Sequence, residues 1–280
     1  MFANCWCGKN NYQVEVNCRA DREKFNQDFQ VIRCQVCGLA RNWPKPAASG
    51  LPVEFYQTQD DYLERKRLLN LWFKFSRILI RLLRSFKIKG EILEVGCNLG
   101  VFVEAMRRAG YNARGIDLSA AAISEGRKIF NLTTELKSGD LGSFNFKNSF
   151  SALVYWHVLE HIADLNEELG RARRALRAQG ILIIAAPNYN SLWRRILRCR
   201  WYAYSPEQHV WEFDRQSLTK ILETNDFKVD RIIARRSLYH QIRPTAAGII
   251  KIWLYILAYL FGQGDNLIIV AQKNNFLPNK

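Results

Sequence analysis

Short apolar runs alternate with segments of helical period through the middle of the chain. Apolar stretches at 91–95, 151–156 and 180–186, with strand-like runs at 112–118 and 134–137, predict five strands. Between them, 101–109, 120–130 and 163–177 carry helical spacing, with Gly110 stopping the first and Ser119 standing where an N-cap belongs. Run 180–186 is apolar throughout, which suits a strand covered on both faces. Such alternation predicts an α/β fold with a mostly parallel sheet and helices on both sides. Upstream, residues 65–88 read as one amphipathic helix: Leu68, Leu71, Trp72, Phe75, Leu79, Leu82 and Phe86 share a face, and Arg67, Lys74, Arg77, Arg81 and Arg84 gather on the other. Two further strand-like runs, Tyr12–Asn17 and Phe29–Arg33, lie near the start. Residues 39–61 are broken by Pro44, Pro46, Gly50 and Pro52 and predict a connector. Residues 248–262 are apolar except for Lys251, too short a run for a dependable membrane span. Because 264–271 reads as a last sheet strand, the segment before it must return to the domain, which predicts an apolar helical insertion at 245–262.

Charge changes the picture of partners more than of fold. The 280 residues carry a formal net charge of +15, with 48% hydrophobic residues, enough to bury a core and exclude general disorder. Residues 91–190 hold 11 basic and 11 acidic side chains; residues 62–90 hold 9 basic and 1 acidic, and residues 191–280 hold 14 and 7. The excess therefore flanks a neutral centre. In the helix before it, and in Ser191–Tyr202 after it, the cations are interleaved with Trp, Leu and Ile, a composition suited to an anionic membrane surface. A helix packed on the sheet with a solvated basic face is the alternative. Residues 1–10 lack a basic stretch followed by an apolar run, so no secretory leader is predicted and a cytoplasmic location, peripheral to the inner face of a membrane, is expected.

Five of the seven cysteines fall within the first 37 residues. Cys5-Trp-Cys7-Gly8 and Cys34-Gln-Val-Cys37-Gly38 each end in Cys-Gly, where glycine permits the tight turn that brings amides to thiolates. Two such knuckles at the ends of a hairpin predict a structural zinc site of Cys5, Cys7, Cys34 and Cys37, in preference to disulfides. Cys18 is an alternative ligand in place of Cys5 or Cys7, and a ribbon that folds without metal is a further alternative. The predicted organisation is a zinc-ribbon-like segment at 1–43, a linker at 44–64 and a main domain at 65–280.

The remaining chemistry sits at the carboxyl ends of the predicted strands, where open α/β sheets bind ligands. Glu94-x-Gly96-x-Asn98-x-Gly100 follows the first strand and opens a helix, offering close backbone approach and free amides. It is neither a phosphate-binding loop nor GxGxxG. Asp117 ends the second strand, where a carboxylate can accept both hydroxyls of a ribose. Glu94–Gly100, Gly115-Ile-Asp117, Gly139-Asp140, Tyr155-Trp-His-Val-Leu-Glu-His-Ile162, Arg174-Ala-Leu-Arg-Ala-Gln-Gly180 and Ala186-Pro-Asn188 together resemble the successive motifs of the class I S-adenosylmethionine-dependent methyltransferases. The VLEH sequence brings the resemblance nearest to the ubiquinone O-methyltransferase branch, and some members carry an N-terminal zinc ribbon.

The resemblance implies a Rossmann-like, seven-stranded sheet and S-adenosylmethionine as cofactor. Gly96 and Gly100 would line the methionine end, Asp117 would hold the ribose hydroxyls and Asp140 with Leu141 would face the adenine; Glu94, Cys97, Asn98 and Leu118 would be further cofactor contacts, with His157 beside the cofactor. Asn98 departs from the small glycine usual there, and Ala-Gln-Gly replaces Pro-Gly-Gly before strand five. An oxygen acceptor must lose its proton, so His161 or His209 is expected to be the base. HxxEH also resembles an inverted zinc-peptidase motif, a reading that the flanking strands disfavour, and a histidine bonded to backbone beneath the pocket remains the plain alternative. His240 has no supporting motif. The expected reaction is methyl transfer to an oxygen of a small, lipid-linked or glycan-type acceptor near a membrane. An RNA methyltransferase gripping nucleic acid through ribbon and basic helix is the alternative.

Overall fold

The structure is a computed structural model. It describes residues 5–19, 28–45, 62–235 and 262–274, with side chains of the first helix from residue 69 onward. His240, most of the predicted connector and all of the apolar insertion except Gly262 lie outside these residues.

Strand β1 is Tyr12–Cys18, β2 Phe29–Cys34 and β3 Ala40–Trp43; helix α1 is Tyr62–Ser85. The central run is β4 Glu91–Val95, α2 Val101–Arg108, β5 Asn112–Asp117, α3 Ala120–Phe130, β6 Leu136–Ser138, β7 Phe150–Trp156, α4 Leu165–Ala175 and β8 Leu176–Pro187. It is followed by α5 Leu192–Leu197, β9 Trp211–Glu212, α6 Arg215–Thr224, β10 Phe227–Arg235 and β11 Asn266–Lys273. Seven strands form the central sheet in the order β10-β11-β8-β7-β4-β5-β6, with β4 parallel to β5 and β7, and β5 parallel to β6. The mostly parallel α/β architecture expected from the periodicity is present. A second sheet has the order β1-β2-β3-β9.

Two expectations need correction. Residues 40–43 are not connector: Gln30 to Arg33 pair antiparallel with Trp43 to Ala40, and Ala40 and Arg41 pair with Glu212 and Trp211. The prolines begin only at 44, and they hid a four-residue strand in front of them. Cys18 is not available as a metal ligand, because it forms a disulfide with Cys199. Its partner is 181 residues away, and no local spacing could announce the pair.

The chain divides into two compact units. The first contains 1–49, 157–166 and 184–271. Its smaller sheet is anchored by a cluster in which Phe29, Val31, Tyr189, Trp201 and Tyr204 are buried beside Cys18. Here Trp193 and Trp201 of the predicted surface segment are core residues, while Arg195, Arg198 and Arg200 remain exposed. The tryptophans follow apolar burial and leave only the charge outside.

The second unit contains 50–156, 167–183 and 272–280. Within it, α1 buries Phe75, Leu79, Leu82 and Leu83, and Trp72 meets Phe102 of α2 edge to face with ring centroids 5.8 Å apart. Lys74, Arg77, Arg81 and Arg84 are exposed. The apolar stripe thus packs inward, as in the alternative of a packed helix. Among the described residues no helix is long and apolar enough to cross a membrane.

Candidate cofactor turn and histidine cluster

Strand β4 runs into a turn that three left-handed residues shape: Gly96 at φ 70°, Asn98 at 52° and Gly100 at 76°. Asparagine tolerates this region better than other side-chain-bearing residues, because its short amide bonds locally. Asn98 does so, its Oδ1 accepting from Leu99 N at 2.7 Å. The departure from glycine therefore leaves the turn intact. Gly100 is required on a second count, since a Cβ there would lie 2.8 Å from the Leu136 methyls.

Asp117, at the end of β5, ties this turn to its neighbour. Its Oδ2 accepts from Asn98 N and its Oδ1 from Ser119 N, both at 2.8 Å. Ser119 then caps α3, its Oγ accepting from Ala122 N at 3.1 Å. Glu94 is 4% exposed, and Oε2 is buried without a hydrogen-bond partner. Burial, and next the charge of Asp117, push its carboxyl well above the ordinary range. A buried carboxyl with one unpartnered oxygen, beside a second acid, is an acceptor prepared for a cationic ligand. Leu118 is 67% exposed, an apolar side chain at the lip of the turn. Asp140 caps the short helix Leu141–Ser143, accepting from Ser143 N and Oγ at 2.8 and 2.7 Å. These bonds, helped by Arg171, hold its carboxyl below the usual value. Leu141 is buried. Glu94, Gly96, Cys97, Asn98, Gly100, Asp117 and Leu118 thus fall in one turn and the strand ends that frame it.

The histidines belong to the first unit. His157 follows β7 directly, at φ 58°, its N donating to Ala185 O at 2.8 Å. His157 Nδ1 lies 3.2 Å from Glu160 Oε1. Glu160 is 1% exposed with Oε2 unpartnered. Burial would raise its carboxyl, but the bond to His157 and the three neighbouring imidazoles bring it down to about 2. His161 Nδ1 is 3.2 Å from the Gln208 carbonyl, which only an N–H can satisfy, so the Nε2 lone pair is left available. The His161 and His209 rings meet edge to face, centroids 4.8 Å apart. His209 is buried, its Nδ1 unpartnered, and burial lowers it to about 3, so it is neutral. One ligand atom from each of Glu160, His161 and His209 lies within 4.8 Å of the others. Both expected bases are therefore together.

Sequence reasoning left out three members of this neighbourhood. Glu160 was visible between the histidines, and its i, i+3 spacing from His157 was the signal. Glu212 and Asn42 gave none, standing 170 residues apart. Asn42 Nδ2 donates to the His209 carbonyl at 3.1 Å and to Glu212 Oε1 at 2.8 Å. Burial pushes Glu212 up to about 8 against the opposing bond from Asn42.

The four predicted ligand cysteines converge as well. Cys5 Sγ is 3.5 Å from Cys37 Sγ, Cys7 Sγ is 3.8 Å from Cys34 Sγ, and all four lie within 4.8 Å of one another. Gly8 N and Gly38 N bond back to Cys5 O and Cys34 O at 2.9 Å, with φ of 76° and 80°. The two knuckles close alike although the first is one residue shorter.

Residues 64–232 match the family described as a methyltransferase domain. A Mycolicibacterium smegmatis protein named a probable S-adenosylmethionine-dependent methyltransferase is 24% identical over 169 residues, 58% of this chain and 61% of its own length. A ubiquinone biosynthesis O-methyltransferase of Bartonella tribocorum is 27% identical over 156 residues, 54% of this chain and 60% of its own. The chain thus spans about three fifths of these relatives. A solved structure from Pyrococcus horikoshii shares the fold, with a TM-score of 0.55 at 15% identity over 80% of this chain and 100% of that one. The chain belongs to the methyltransferase-domain family.

Proposed function

We propose that the protein transfers a methyl group from S-adenosylmethionine to an oxygen of a small acceptor. The observation that carries this is the turn around Asp117, with a buried, unpartnered Glu94 oxygen behind it. The bound cofactor supplies a methyl carbon already activated by a sulfonium. Gly96, Cys97, Asn98 and Gly100 hold its methionine end by backbone approach, and Glu94 receives the positive charge. Asp117 accepts the ribose hydroxyls, Asp140 and Leu141 flank the adenine, and Leu118 at the edge of the turn and His157 after β7 are further cofactor contacts. This chain's part would be to align an acceptor oxygen with that methyl, so that the electron pair of the broken bond could leave with the sulfur. The hydroxyl proton goes to His161 Nε2, whose other nitrogen is held by the Gln208 carbonyl. His209, buried edge to face against it and held neutral, keeps that ring in place and is too weak a base to take the proton itself. The oxygen acceptor follows the named O-methyltransferase relative.

Calorimetry with S-adenosylmethionine and S-adenosylhomocysteine tests the cofactor half. Micromolar binding is expected, and its absence in folded protein overturns the reading. Mass spectrometry of acceptors incubated with labelled cofactor tests the other half, since label recovered only on nitrogen or carbon overturns the oxygen assignment.

A second reading of the histidine cluster is favoured by its unpartnered Glu160 Oε2 and His209 Nδ1. A carboxylate and two imidazoles form a donor set for a divalent cation. Activity lost on chelation and restored by Mg²⁺ or Mn²⁺ would establish it.

Cys5, Cys7, Cys34 and Cys37 are the ligands of a structural zinc ion, which four converging sulfurs on two matching knuckles suit. Metal analysis of unchelated protein should find about one equivalent. The exposed Lys74, Arg77, Arg81 and Arg84 hold the enzyme near anionic lipid by charge alone, since the apolar face of α1 is buried.

A further inference from the structure

Arg41 is 2% exposed, in the middle of β3. Its guanidinium carbon lies 5.3 Å from the Trp211 ring centroid and 5.9 Å from that of Trp43. Among the described residues it has no carboxylate, and its Nε and Nη2 are buried without hydrogen-bond partners. Removing an unpaired cation from water costs several kcal/mol after relaxation, roughly, and two aromatic faces return only about 2 kcal/mol or so each at best. Some further negative charge should therefore face it.

Strand register shows where. Ile32 is opposite Arg41 across β2 and β3, and Tyr12 is opposite Cys34 across β1 and β2. Ile32 and Cys34 are two residues apart, so Arg41, Tyr12 and Cys34 share one face of the sheet. The Tyr12 hydroxyl is buried on this face, and both the Cys5 thiol and the Arg41 guanidinium act on it electrostatically. Arg41 is thus directed at the face that carries the cysteine knuckles. Arg33, between Ile32 and Cys34 in β2, points to the opposite face and is already matched there: it meets Glu15 at 2.5 Å and Asp214 at 3.0 Å while bonding the Gly38 carbonyl.

We propose that Arg41 is the counter-cation of the metal-loaded Cys5/Cys7/Cys34/Cys37 cluster. Four thiolates around Zn²⁺ carry two net negative charges. A buried guanidinium on the same sheet face offsets part of that charge, and the loaded cluster supplies the anion that Arg41 otherwise lacks. This rests on the zinc reading above and adds to it a residue that tunes the metal from outside the ligand set.

The test compares Arg41→Met with wild type in the full chain, loaded with zinc and stripped by chelator without reductant. In the zinc form, R41M should melt below wild type and surrender zinc to a colorimetric chelator at roughly tenfold lower chelator concentration. In the stripped form, R41M should melt at or above wild type, because the unpaired charge has gone. R41K should retain zinc like wild type, and R41Q should not; this pair serves if R41M does not fold. An equal fall in both forms, or wild-type zinc retention in R41M, overturns the proposal and leaves Arg41 a packing residue. Wild-type protein without zinc overturns the zinc reading and this one together.

Discussion

The cofactor turn and the histidine cluster are built in opposite ways. The turn uses residues 94–119, contributed by two adjacent parallel strands, and Asp117 satisfies the amides of Asn98 and Ser119. Its geometry comes from local backbone bonds, Gly96 N and Cys97 N to Ile116 O and Gly100 N to Cys97 O, closed by that one carboxylate. The cluster draws on residues 40–43, 157–162 and 205–212, and its order depends on side chains and loop carbonyls: Asn42 on the His209 carbonyl, Gln208 on His161, Val210 N on Glu160 O at 2.8 Å. It also keeps buried atoms without partners. A ligand common to a family can be held by backbone that many sequences supply. Groups that face a particular acceptor must come from side chains, and these are assembled over long separations.

That contrast can be broken at several points. Asp117→Ala removes an acceptor for two amides and, by proposal, two hydroxyls. Cofactor affinity measured by calorimetry should fall roughly 10³-fold, from about 2 kcal/mol or more for each charge-assisted bond, with circular dichroism unchanged. Wild-type affinity would break the assignment of the turn. His161→Ala should lower turnover roughly 10²-fold while cofactor Kd stays within about twofold; equal losses in both would erase the division between the two sites.

The next smaller effect concerns stability. The folded protein holds a proton on Glu212 up to about pH 8, whereas the unfolded chain releases it near pH 4, roughly. Its contribution is therefore full below that lower value and declines as pH rises toward 8. Glu212→Gln keeps an acceptor for Asn42 and removes the titration. Urea unfolding at pH 5 and pH 8 should show the variant gaining on wild type by a few kcal/mol, roughly, over that interval. His209, lowered to about 3, contributes in the other direction as pH rises through about 6.5. It is common to both proteins and cancels in the difference. A constant difference would mean that Glu212 is ionised throughout.

The smallest effect belongs to α1. Reversing Lys74, Arg77, Arg81 and Arg84 to Glu should abolish sedimentation with phosphatidylserine vesicles and leave turnover on a dissolved acceptor unchanged. Wild-type sedimentation should weaken steeply between about 50 mM and 200 mM salt, since exposed charges are screened. Salt-resistant sedimentation would show that buried apolar residues become available.

Strands β4, β7 and β8 were legible as short apolar runs, whereas β5 and β6 were legible mainly from the glycines, Asp117 and helical segments that bracket them. Asp117 was legible because it ends one of them. The helix at 62–85 was readable too, but which of its faces meets protein depends on what α2 presents, and Phe102 is not a local signal. Trp193 and Trp201 misled for the same reason: beside arginines, a buried tryptophan and an interfacial one look alike in a string of letters. Strand β3 was hidden by Pro44, and Asn42, Arg41 and Glu212 by distance along the chain. Their partners are fixed by register between strands that only the folded sheet aligns.

The bond between Cys18 and Cys199 makes most of the chain a covalent ring. For a separation of 181 residues, loop closure removes on the order of 5 kcal/mol of freedom from the unfolded chain in the entropic account. A single protease cut anywhere between the two cysteines should leave one band on a non-reducing gel and two after reduction. Cut protein would stay joined and able to refold as one molecule. The four knuckle thiols lie in the same unit, and metal occupancy would shelter that ring from their attack, so zinc would protect the bond that joins β1 to the segment after α5.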